Sequence, residues 1–305
     1  AGPEGRPVVS PNGRYLAYTQ TADIRQGYNG AKLTIRDLTT SESRSLTTDF
    51  DRSVSDIQWS QDSKSLWISY TDLGMVRVAK IDLRGKLRQS DIVLGGTAIG
   101  RPYTSGSFSV GGKGRLAYTL GRDDRPADVA LMRPGKTPLK LTDLNGDLMG
   151  QRQMTRAERI TWPSSHDAMM IEGWVMKPPG FDPAKSYPMI LEIHGGPHSA
   201  YGPNYSTEAQ LFAAAGYVVL YTNPRGSTSY GEQFANEIDL AYPGFDYDDL
   251  ISGVDALIDQ GYVDPEQLFV TGGSGGGVLT AWIVGKTDRF RAAVVAKPVI
   301  NWASF

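Results

Sequence analysis

The chain has 305 residues with 33 acidic and 31 basic side chains, a formal net charge of −2, so it carries no polyanion-binding signature. It has no cysteine, which excludes disulfides, thiolate metal sites and a cysteine nucleophile, and leaves cytoplasm and periplasm both open. Its 35 Gly and 18 Pro exceed the average share without reaching that of low-complexity chains, and the length suits about two turn-rich domains. The longest apolar run, 211–221, falls short of the ~20 residues that span a bilayer. The opening residues show no charged-then-apolar leader and read as the interior of a longer sequence.

In chain order, the first feature is a repeat. Ser10-Pro11-Asn12-Gly13 is a turn signal, and Arg14 to Tyr18 after it alternates like a strand. The same arrangement returns at 59–68 and 109–118, with Ser10, Ser60 and Val110 spaced by 50 residues. Each copy leads into another strand-like run, at 32–38, 75–83 and 127–132. A period of this size with several short strands suits β-propeller blades, because one four-stranded blade cannot bury its own faces and must stack on neighbours. Three copies do not close a ring of about 4–8 blades. Residues 1–150 are therefore expected to be blades of a partial propeller; a small β-sandwich with recurring turns is the competing reading.

From Ala157 the texture changes to strands alternating with longer helical stretches. Strands are expected at 171–177, 189–194, 217–222, 268–271 and 292–296, the last of them buried. Helices are expected at 206–215, 246–259 and 278–285. The second of these carries Leu250, Val254, Leu257 and Ile258 on one face. This alternation predicts a doubly wound, mostly parallel α/β sheet over 151–305.

Two glycine-rich turns carry the chemistry. Gly272-Gly273-Ser274-Gly275-Gly276 satisfies G-x-S-x-G, a sharp strand-to-helix turn that exposes a serine hydroxyl near backbone N–H groups. A dinucleotide-binding G-x-G-x-x-G fails at Val278, and a phosphate-binding loop fails because no lysine follows before Lys286, so no cofactor is implied. The second turn, His194-Gly195-Gly196-Pro197-His198, follows a strand and suits the loop that donates another N–H to an oxyanion. Metal binding by His194 and His198 is not expected: Gly-Gly-Pro cannot hold a helical turn between them, and no Glu follows His194. Only one other histidine exists, His166, and all three precede Ser274.

Taken in order, HGGPH, then Asn223-Pro224-Arg225-Gly226-Ser227 with Tyr230-Gly231, then GGSGGG, resemble the prolyl oligopeptidase family of serine peptidases. The acylaminoacyl-peptidase and dipeptidyl-peptidase branches are the most similar, and the repeats resemble that family's N-terminal propeller. The resemblance implies a propeller-capped α/β-hydrolase acting on short peptides as an exopeptidase or oligopeptidase, with no nucleic-acid or membrane partner; a homo-oligomer is left open. It implies Ser274 as nucleophile, Gly275 as one oxyanion donor and Gly196 as the other, with His194 standing where some branches carry a tyrosine. His194, Tyr201, Tyr205 and Tyr230 are candidates for the substrate pocket. Arg225 is expected to anchor its loop by an ion pair, and Asp246, Asp248 and Asp249 to be charges at a helix start. The family places its catalytic Asp and His well beyond the nucleophile, whereas the 31 residues after Ser274 hold Asp288 and no histidine. The chain is thus expected to pair the last blades with the first half of a hydrolase, to draw its base from further sequence, and not to turn over substrate by itself. The alternatives are an esterase or amidase with the same machinery, and a non-catalytic propeller protein that only binds.

Overall fold

In the first half of the chain, repeated turn chemistry decides where strands stop. The Ser10 N–H donates to Tyr15 O (2.8 Å), and the Ser60 N–H donates to Ser65 O (2.9 Å). Gly13 and Ser63 close these turns in the left-handed region, at φ 71° and 58°. The third copy turns through 112–114 instead, with Lys113 and Gly114 left-handed. A computed structural model describes residues 2–303.

Among the described residues these turns generate three four-stranded antiparallel sheets, each an up-and-down meander. The first comprises β1 (Glu4–Val9), β2 (Tyr15–Gln20), β3 (Lys32–Asp37) and β4 (Ser43–Ser45). The second comprises β5 (Val54–Trp59), β6 (Ser65–Asp72), β7 (Met75–Asp82) and β8 (Leu87–Leu94). The third comprises β9 (Phe108–Gly111), β10 (Arg115–Arg122), β11 (Arg125–Met132) and β12 (Leu139–Lys140). They stack like propeller blades, and the middle sheet is buried on both faces. Leu66, Ile68 and Ile81 pack with Ala17, Leu33 and Ile35 of the first sheet. Trp67, Val76 and Val78 point the other way, onto Leu116, Tyr118 and Ala130 of the third. Polar clasps reinforce the stack: Trp59 Nε1 donates to Val8 O (2.9 Å), and the Gln58 amide takes the Val110 N–H (3.0 Å) and donates to Phe108 O (2.6 Å).

After a one-turn helix, α1 (Gly146–Met149), the second half builds a six-stranded sheet. Its strands are β13 (Ala157–Pro163), β14 (Met170–Met176), β15 (Tyr187–Ile193), β16 (Val218–Asn223), β17 (Val263–Gly273) and β18 (Phe290–Ala296), in the order β13-β14-β16-β15-β17-β18. The sheet is mixed: β16, β15, β17 and β18 run parallel, while β13 and β14 add antiparallel neighbours. Helix α2 (Thr207–Ala214) packs with Trp174, Met176, Val219 and Tyr221. After the short α3 (Glu232–Asn236), helices α4 (Asp246–Ile258) and α5 (Gly275–Lys286) supply Leu250, Val254, Leu257, Leu279 and Ile283 to the core with Ile171, Val175, Leu191 and Val270.

Two expectations need correction. The strand at 292–296 is not buried: β18 pairs only with β17 and is an edge among the described residues, with Val294 63% exposed. The last helix begins at Gly275 and not at 278, because three successive glycines form its first turn.

Blade-side turns dock directly on the six-stranded half. The β6–β7 hairpin tip gives both its N–H groups to one residue, Leu73 to Ser229 O (3.0 Å) and Gly74 to Ser229 Oγ (2.8 Å). Gly96 N–H donates to Asn204 Oδ1 (3.0 Å), and Tyr103 forms an isolated β-bridge with Tyr201. No helix among the described residues is long and apolar enough to cross a membrane.

Candidate active site

Strand order fixes where a site can form. From β15 the chain crosses to β16 on one side and then returns to β17 on the other, so a crevice opens at the carboxyl ends of β15 and β17. Both glycine-rich turns stand at those ends. Ser274 lies between β17 and α5 at φ 58°, ψ −118°, a conformation rare for a residue with a side chain, and it is exposed there. Its N–H donates to Ala296 O (3.0 Å), and its own carbonyl accepts from Val278 N–H (3.0 Å). The strained serine is thereby tied both to the sheet and to the helix that starts at it.

The glycines let the two turns touch. A Cβ on Gly276 would sit 2.1 Å from Ile193 O and 2.7 Å from His194 O, so only glycine lets α5 start this close to β15. Gly275 approaches Gly196 so nearly that a Cβ would stand 3.0 Å from the Gly196 N, and Gly196 itself takes φ 131°. The Gly275 N–H belongs to the first helical turn, which has no acceptor within the helix. The Gly196 N–H has no hydrogen-bond acceptor among the described residues. Two backbone donors therefore border the space next to Ser274. Tyr242 steadies the helix start, its hydroxyl donating to Gly275 O (2.7 Å).

Among the described residues the Ser274 hydroxyl has no hydrogen-bond partner, and none of the three histidines serves it. His194 is buried, with Nδ1 2.8 Å from Gly195 O and Nε2 2.8 Å from Ser227 Oγ. Gly195 O only accepts, so a neutral ring carries its proton on Nδ1, and Nε2 then shares the single Ser227 hydroxyl proton with Pro224 O (2.6 Å); burial pushes the ring's pKa down to about 4. His198 faces Gly226 O (3.1 Å) and the Tyr28 ring, so the two histidines share no site. His166 stacks on Phe245.

The tyrosines at the candidate pocket positions face inward. Tyr201 is fully buried and donates its hydroxyl to Glu192 Oε1 (2.9 Å), and Tyr205 is buried as well. Tyr230, half-buried, donates to Glu172 Oε2 (2.5 Å) and accepts from Asn223 Nδ2 (2.9 Å). Arg225 makes a bidentate pair with buried Asp249 (3.0 and 2.9 Å) and reaches Asp167 (3.0 and 3.1 Å), which holds its loop against the start of α4. Asp246 caps the same helix end, accepting from the Gly244 and Tyr247 N–H groups; burial raises its pKa to about 6.

Three groups near the turns escape sequence reading. Glu192 lies two residues before His194, with Arg101 at 3.2 Å; burial raises the Glu192 pKa to about 8 against that attraction. Arg101 also pairs with Glu208 (2.8 Å). Tyr103 accepts the Gly195 N–H at 2.8 Å. Arg101 and Tyr103 come from the segment joining β8 to β9, which has no period or motif to flag it.

Residues 203–305, which hold the serine turn, match the sequence profile of the prolyl oligopeptidase family. This part of the chain is similar to that family. Two curated relatives extend the likeness toward the N-terminus. The uncharacterized peptidase YuxL of Bacillus subtilis is 36% identical over 249 residues, covering 81% of this chain and 36% of the relative. Dipeptidyl-peptidase 5 of Aspergillus fumigatus is 30% identical over 312 residues, covering 96% of this chain and 41% of the relative. The chain thus spans about two fifths of the length of the curated relatives it matches. Among solved structures, Pyrococcus horikoshii acylaminoacyl peptidase superposes with a TM-score of 0.82 at 25% identity, over 96% of this chain and 44% of that one. The stacked sheets and the six-stranded half therefore occur together in an arrangement like that of this acylaminoacyl peptidase. The turn at 194–198 lies outside the matched segment, yet it packs on the family's serine turn through Gly196 and Gly275.

Proposed function

We propose that this chain is part of a serine peptidase that cleaves short peptides, with residues 1–150 as propeller blades and 151–305 as part of a doubly wound α/β-hydrolase. The observation that carries this reading is Ser274 itself. It is exposed and strained at the switch point of the sheet, beside two backbone N–H groups from Gly275 and Gly196. The names of its relatives, a dipeptidyl-peptidase and an acylaminoacyl peptidase, support short peptides as the substrate class.

In this reading Ser274 Oγ attacks the scissile carbonyl as a base removes its proton. The carbonyl oxygen becomes an oxyanion between the Gly275 and Gly196 N–H groups, each such donor contributing roughly 3–4 kcal/mol to the transition state. Collapse expels the amine, which takes the proton, and water then hydrolyses the acyl-enzyme. We place the base and its orienting acid in sequence outside these 305 residues, because no histidine among the described residues reaches Ser274. His194 has a different part: neutral and fastened to Ser227, it braces the oxyanion turn from behind.

A fluorophosphonate probe tests the reading in the intact protein. The Oγ–P bond should form with loss of fluoride, the adduct should map to Ser274, and Ser274→Ala should lose both labelling and peptide cleavage. Labelling elsewhere, or cleavage that survives Ser274→Ala, would falsify it.

A further inference from the structure

Tyr103 belongs to the blade half by sequence, yet its hydroxyl stands at the oxyanion turn. The Gly195 N–H donates to it at 2.8 Å. A Cβ on Gly195 would meet the Tyr103 hydroxyl and the Ser274 Cβ alike at 3.2 Å, so the phenol and the nucleophile border one small space.

The tyrosine is firmly held. Its backbone bridges to Tyr201, its ring meets the Tyr201 ring edge-on at 4.8 Å, and its carbonyl accepts from Asn204 Nδ2 (3.1 Å). Two residues earlier, Arg101 is clamped between Glu192 and Glu208. The hydroxyl is a fixed point presented to a turn that needs one. Gly195 has no side chain and Gly196 takes φ 131°, so local preference does not select the direction of the Gly196 N–H. Two contacts remove that freedom together: His194 Nδ1 holds Gly195 O (2.8 Å), which shares a peptide plane with the Gly196 N–H, and Tyr103 holds the N–H of the plane before it.

We propose that Tyr103 is a positioning residue: by accepting the Gly195 N–H it aims the Gly196 N–H at the oxyanion formed on Ser274, and so makes the catalytic turn depend on the blade half. This rests on the peptidase reading above. The hydroxyl, and not the bulk of the ring, carries the effect.

Tyr103→Phe in the intact protein isolates that hydroxyl, because the ring and its contact with Tyr201 remain. The expected result is a fall in kcat of about 10- to 100-fold on a short peptide, with KM nearly unchanged, since a misaimed donor fails mainly in the transition state. Fluorophosphonate labelling of Ser274 should slow in parallel, with the melting temperature unmoved. Ser105→Ala perturbs the same segment, where Ser105 Oγ takes the Thr97 N–H, and should leave both rates at wild type. Wild-type rates in Tyr103→Phe would overturn the proposal. So would a loss shared by Ser105→Ala and tracked by the melting temperature, which marks a structural role. If the wild-type protein is not labelled at Ser274, the peptidase reading fails and takes this inference with it; a labelled wild type beside an unimpaired Tyr103→Phe removes the inference alone.

Discussion

The first two blade sheets and the six-stranded half bury polarity in opposite ways. In the first two blade sheets, every buried polar side chain among the described residues is a Ser or Thr. The six-stranded half buries Glu172, Glu192, His194, Arg225, Asp246 and Asp249. Hydroxyls lose little on burial when they find a partner, whereas desolvated ions cost several kcal/mol each unless paired with good geometry. The first two blade sheets are organised by apolar stacking with the Trp59 clasp between them; Gln58 clasps the third, which also buries Asp123 and Asp128. The six-stranded half accepts costly groups where loops must be held in one place: Arg225–Asp249 behind the 223–227 loop, Glu192 and His194 at the 194–198 turn.

The sharpest way to break this contrast is to remove one charge from the buried pair. Asp249→Ala leaves Arg225 in the interior with only the half-exposed Asp167, and should lower stability by about 3–5 kcal/mol in urea unfolding. A loss under 1 kcal/mol would mean that the pair does not hold the loop.

A second effect is pH-dependent. The His194 pKa is about 4 in the folded protein against an ordinary 6.5, so between these values the unfolded chain binds more protons than the native one. Stability should therefore fall as pH drops from about 6.5 toward 4, by on the order of 3 kcal/mol for this group. His194→Gln should flatten that part of the acid limb in unfolding measured against pH. An unchanged slope would show that the ring is not kept neutral by burial.

The smallest effect is expected in the first blade sheet. Arg14 pairs with Asp37 at 2.9 Å on an exposed edge, and Arg14→Ala should leave the urea midpoint unresolved from wild type. A destabilisation matching that of Asp249→Ala would erase the distinction between the two regions.

How far the sequence discloses this arrangement follows from how local each cause is. The 50-residue spacing of Ser10, Ser60 and Val110 marks real hairpin turns, because a turn is made by its own residues. The serine turn is legible for the same reason. The start of α5 is hidden, since three glycines argue against a helix and only close approaches distant in sequence require them: Gly196 on Gly275, Ile193 O on Gly276 and Ala296 O on Gly277. Val294 and Val295 look like core because valine carries no record of whether a neighbouring strand covers it. The tyrosines near the turns read as pocket residues, and only the fold reveals that Glu192 and Glu172 draw two of their hydroxyls inward. Tyr103 is the extreme case: nothing within its own segment points to a glycine on a distant strand end.

The hairpin at 72–75 turns through Leu73 at φ 49° and Gly74 at φ 71°, and a leucine resists that region. Both N–H groups there end on Ser229, and a Cβ on Gly74 would stand 2.4 Å from the Trp174 ring. The tip of the second blade is therefore fastened to the other half at a single residue, and a change at Ser229 reaches a hairpin far away in the sequence.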